Sequence, residues 1–215
     1  MSGGGLRIPL GAVEFESCWS AVTALIDPDR RLPDWPFTTK GRHVAVAQYD
    51  HLGGRGFVPV LQALASVYGD QEIVLVVTEP TPSYYATNHG FLPGFRVATD
   101  ALDDGYWGGL SYEPSRDQAS AITYLAGAMA VIGSTAKWAI WGQLDWDLVL
   151  VQTPDKDGPW LDAGVPFVPP AVALENFTPT ERHLKPLTEL ETSMFLSHFS
   201  DESGQGRSQR APELE

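Results

Sequence analysis

Cysteine is nearly missing from this chain. Cys18 stands alone among 215 residues, so no internal disulfide can form. Basic residues are scarce as well, with 14 Lys and Arg against 27 Asp and Glu, a formal net charge of −13 and a pI near 4.6. A potential of that sign repels nucleic-acid phosphates and anionic bilayers, so neither nucleic acid nor a membrane is an expected partner. Long hydrophobic runs are also lacking. The most apolar stretch, residues 119–133, falls short of the roughly 20 residues a membrane helix needs and is interrupted by Ser120, Thr123 and Tyr124. Residues 1–5 lack the basic and then apolar pattern of a signal peptide, and together with the single cysteine this predicts a cytoplasmic protein. There is no Gly-x-Ser-x-Gly elbow, no cysteine pair and no His-Glu-x-x-His, so enzyme classes carrying those signatures lose support. No metal and no cofactor is expected.

The chain does contain ample material for a core. Hydrophobic residues make up 43% and charged residues only 19%, which places it outside the disordered class. Its length predicts one globular domain over residues 1–200, followed by a polar, disordered tail over 201–215. Seventeen Pro and twenty-one Gly shorten the regular elements.

Several elements can be read directly. The alternation from Ala12 to Glu16 suggests a short strand, and Ser17 a cap for a helix ending at Asp27-Pro28. His43 to Gln48 reads as a strand, Phe57 to Tyr68 as a helix closed by Gly69, and Glu72 to Thr78 as a buried strand. Residues 81–114 form a long irregular segment. Ile122, Leu125, Met129 and Ile132 fall on one helical stripe after a candidate cap at Ser115. Two strands within residues 138–151 form a β-hairpin, and Glu189 to Phe199 a last helix. The predicted fold class is α/β or α+β: a mixed sheet of about five strands covered by three to four helices.

Charge is unevenly spread. Residues 1–69 are neutral overall, whereas residues 70–162 carry thirteen acids against four bases, which predicts one anionic face. Within that stretch Asp100, Asp103 and Asp104 lie beside Tyr106 and Trp107. Carboxylates among loop aromatics suit a recognition surface for a basic protein. The acids lack the alternating spacing of a calcium loop, so they are not read as a metal site.

A second constellation is strand, glycine turn, helix, strand. Gly53, Gly54, Arg55 and Gly56 sit where a βαβ unit would cradle a phosphate, and Glu79 closes the second strand where a ribose-binding acid would stand. The spacing is Gly-Gly-x-Gly rather than Gly-x-Gly-x-x-Gly, and no Lys-Ser/Thr follows.

Two functions follow. The preferred one is a non-enzymatic binding module for a basic partner, with long-range steering by charge. In charge and size the chain is similar to acidic inhibitors that neutralise basic toxins, such as bacterial immunity proteins, a similarity that no motif carries. The alternative is an enzyme binding a small-molecule phosphate or a nucleotide at the Gly53–Gly56 turn. Neither reading predicts an oligomeric state.

Overall fold

The computed structural model describes residues 5–40, 42–114, 120–176 and 187–199. The tail expected over 201–215 and the helix cap expected at Ser115 lie outside them.

The protein has an α+β fold built on one six-stranded sheet. In chain order the strands are β1 (His43–Gln48), β2 (Glu72–Glu79), β3 (Gly94–Ala98), β4 (Ala128–Gly133), β5 (Ala139–Gln143) and β6 (Leu148–Thr153). Their spatial order is β1-β6-β5-β4-β2-β3, and every neighbouring pair is antiparallel. The sheet therefore has one strand more than expected, and its pairing is antiparallel throughout. β1 and β2 run in the same direction but are separated by three strands, so they form no paired βαβ unit.

Side chains alternate across this sheet, as the pleat requires. One face carries Ile73, Leu75, Val77, Met129, Val131, Ile140, Val149 and Val151. The other carries Val74, Val76, Ala128, Ala130, Ile132, Trp141, Leu148 and Leu150. Both faces are covered, so the central strands have no polar side. β4 reads Ala-Met-Ala-Val-Ile-Gly and is buried at every position. This overturns the helix expected through Met129 and Ile132. A continuous apolar run fits a helical stripe and a doubly buried strand equally well, and here burial on two faces decided. Among the described residues of that stretch the α-helical part is the single turn α6 (Ile122–Leu125).

The first face is covered by α3 (Val58–Tyr68) and α5 (Leu102–Leu110), with the short α2 (Tyr49–Leu52) ahead of them. α3 ends at Gly69, whose φ of 75° is the left-handed conformation that favours glycine at a helix C-terminus. The second face is covered by α1 (Ala12–Thr23), α7 (Pro170–Asn176) and α8 (Glu189–Phe199). α1 replaces the strand expected over Ala12–Glu16. Its buried residues Phe15, Cys18 and Val22 recur at helical spacing, and the Glu14 carboxylate accepts the Gly11 N–H at 3.4 Å.

The segment 81–114 is regular rather than irregular. It holds α4 (Pro82–His89), β3 and α5. Glycine let it escape the pattern. An added Cβ at Gly109 would lie 2.5 Å from the Phe95 ring, and one at Gly105 would collide with Val97. These glycines allow α5 to sit directly on β3, at the cost of the apolar stripe that would have revealed a helix.

Candidate functional site

Arg55 of the glycine turn meets the acidic segment on one surface. Arg55 lies in the helical turn just before α3, and its guanidinium lies over the Trp107 ring at 5.7 Å and 3.7 Å from the Asp104 carboxylate. Gln62 of α3 donates to Asp103 at 3.1 Å. Asp100, Asp103 and Asp104 are all exposed, and Trp107 is half-buried beneath Arg55. The cation is thus pinned by an indole face and a carboxylate, both on α5.

Tyr106 is a correction. It is fully buried, and its hydroxyl donates to the Leu52 carbonyl at 2.8 Å. It ties α5 to the end of α2 and belongs to the core. Burial pushes its hydroxyl far above the ordinary tyrosine range, as it does for Tyr49 and Tyr85 on the same side of the sheet.

The glycine turn is already occupied with its own hydrogen bonds. The Gly53 and Gly54 N–H groups both donate to the His51 carbonyl, and the Phe57 N–H donates to the Gly54 carbonyl at 3.3 Å. Two of the amides that a phosphate would need therefore point inward. Glu79 stands at the end of β2, four inter-strand steps of about 4.8 Å from β1. There it pairs with Arg31 at 2.8 Å.

The acids of residues 70–162 are divided between the ends of the sheet. Glu79, Asp145 and Asp147 lie where β2 and β5 finish. Asp70, Glu72, Asp100, Asp155 and Asp157 lie where β3 and β6 finish. Some are spent internally. Asp70 is 4% exposed and accepts the Trp138 indole N–H at 2.7 Å and the Thr135 N–H at 2.6 Å. Glu72 pairs with Arg96. The stretch as a whole therefore does not form the single anionic face expected from the sequence; Asp145, Asp155, Asp157 and Asp162 are exposed elsewhere, and among the described residues Asp100, Asp103 and Asp104 at the start of α5 are its densest run of exposed acids.

One concavity went unread in the sequence. A cavity of about 450 Å³ opens beside the first residues of β1, between the loop after β6 and the end of α8. Lys40, Arg42 and Lys156 line it, together with Trp35, Trp160 and Phe199. These residues are scattered from position 35 to position 199, and no local spacing connects them. The only signal available was the pair Lys40 and Arg42 just before a strand.

Cys18 is 3% exposed, and burial pushes its thiol up while the nearby Arg96 pulls it down more weakly. It packs against the sheet as an apolar residue. Among the described residues no cluster of three His, Cys, Asp or Glu has metal-binding geometry, and no helix is long and apolar enough to cross a membrane. Comparisons with family models, curated proteins and solved structures returned no match to this chain.

Proposed function

We propose that this protein is a non-enzymatic binding module that meets a basic protein partner through the outer surface of α5. The supporting observation is the cluster of Asp100, Asp103 and Asp104, exposed within five residues, next to a Trp107 that packs on the core beneath the Arg55 guanidinium. Exposed carboxylates raise the association rate of a cationic partner, and aromatic and arginine side chains are the usual anchors once contact is made. The net charge of −13 extends the attraction beyond the contact surface. An inhibitor of a basic enzyme or toxin is the form of this function that the charge favours. The cytosol is its proposed location, where a lone thiol such as Cys18 stays reduced.

Affinity capture from the native host at low and high salt, followed by mass spectrometry, tests this reading. The expected result is a basic protein retained by the wild type and released as salt rises. The triple variant Asp100→Asn, Asp103→Asn, Asp104→Asn should fail to retain it. A partner held equally well at both salts and by the triple variant would remove the proposal.

A further inference from the structure

The cavity beside β1 has a charge opposite to that of the molecule. Lys40, Arg42 and Lys156 line it, and the carboxylate among its described lining residues is Asp157. Among the described residues none of the three cations has an ion-pair partner. Arg42 is anchored by one nitrogen only, with Nη1 donating to the Lys137 carbonyl at 2.7 Å. Three fixed positive charges against one negative charge leave the site with a local excess of two, in a protein whose net charge is −13. Exposed like charges gathered without partners repel one another, and a bound anion removes that cost.

The walls are aromatic. Trp35 and Phe199 lie with ring centroids 4.9 Å apart, and Trp160 and Phe167 meet edge to face at 5.2 Å. The Trp160 indole nitrogen is buried with no hydrogen-bond partner. The strand supplies polar backbone as well. Val46 exchanges hydrogen bonds with Val168 across the outer edge of β1, at 3.1 and 2.8 Å. Strand alternation turns the N–H and C=O of Val44, which lines the cavity, toward that same edge. A volume of about 450 Å³ falls in the ordinary range for small-molecule sites.

We infer that this cavity binds an aromatic phosphomonoester, a small molecule with one flat ring system and one phosphate of roughly two negative charges. The phosphate satisfies the excess positive charge at Lys40, Arg42 and Lys156. The ring system packs on the half-buried apolar lining of Val44, Leu161, Phe167 and Val168, with the buried Trp35 and Trp160 behind it. A polymeric nucleic acid does not fit, because its further phosphates would meet the acidic exterior. The inference is independent of the protein partner proposed for α5.

Isothermal titration of the full chain tests it, with AMP, GMP, UMP and phenyl phosphate as probes and adenosine and inorganic phosphate as single-feature controls. At least one of the four esters should bind one to one with a Kd below about 1 mM and quench tryptophan fluorescence, and both controls should bind about tenfold more weakly or worse. Lys40 and Lys156 are exposed, so Lys40→Ala/Lys156→Ala should keep the wild-type circular dichroism and weaken binding about tenfold for each cation removed. Asp157→Asn should act in the opposite direction and tighten binding several-fold. The inference is overturned if no ester binds saturably, if adenosine or phosphate matches the best ester, or if the double lysine variant binds as tightly as the wild type.

Discussion

The two edges of the sheet carry opposite chemistry. At the β3 edge, the turn before α5 and the first turn of α5 display three exposed carboxylates beside a tryptophan over which an arginine lies. At the β1 edge, three cations line an aromatic cavity beside an open stretch of strand backbone. The first surface is made by one helix and its neighbour. The second is concave and made by segments from four parts of the chain. The difference teaches that net charge describes neither edge. A chain of −13 hides a cationic site because the fold collects Lys40, Arg42 and Lys156 at one place, while many of its acids are spread over both ends of the sheet or consumed by internal hydrogen bonds.

The comparison can be broken most severely by alkali. Tyr49, Tyr85 and Tyr106 are all buried on the face that carries α5, and burial pushes their hydroxyls upward. In the unfolded chain they ionise near pH 10. The folded state then binds more protons than the unfolded one, so stability is fully present below about pH 10 and is lost as the pH rises beyond it. Urea denaturation at successive pH values should show this loss, and Tyr106→Phe should lessen it.

Displacing α5 is next in size. Gly109→Leu forces a side chain into the Phe95 ring and should cost about 3 kcal/mol, measured by urea denaturation, with capture of the basic partner abolished and binding in the β1 cavity retained in the folded fraction. Asp70→Ala should cost about 2 kcal/mol, because it strands the buried Trp138 and Thr135 donors. It removes an acid of the same stretch without weakening partner capture, which separates structural from displayed carboxylates. Tyr106→Phe should cost about 1 kcal/mol near neutral pH and leave capture unchanged. Arg55→Ala should change stability by less than about 0.5 kcal/mol, since its contacts are exposed, yet it should alter partner affinity by freeing Trp107 and Asp104.

Much of the framework was legible where a local rule was sufficient. The hairpin of β5 and β6 follows from two apolar runs around a polar turn, although Leu144–Trp146 forms a helical turn and Trp146 leaves the strand to stack on Phe195. α3 and its Gly69 terminus follow from periodicity and a glycine stop. Reading failed where tertiary packing overrode the pattern. The alternation at Ala12–Glu16 was overruled by the 3.6-residue spacing of Phe15, Cys18 and Val22. α5 was hidden by the glycines that let it approach β3. Of the candidate sites, Asp104, Trp107 and Arg55 are each legible in the sequence, but their mutual contact is not. The cavity lay beyond local reading, because Lys40, Trp160 and Phe199 are brought together only by the assembled sheet and its covering helices.

The separation of the two edges can be observed in one experiment, a nitrogen-15 chemical-shift titration of the full chain with phenyl phosphate and, separately, with a hexalysine peptide. Phenyl phosphate should move the amides around residues 40–45 and 156–161 and leave α5 unmoved, while hexalysine should move residues 100–107 and leave the cavity unmoved. Shifts from both probes falling on the same residues, or phenyl phosphate acting on α5, would contradict the assignment of opposite charge to opposite edges.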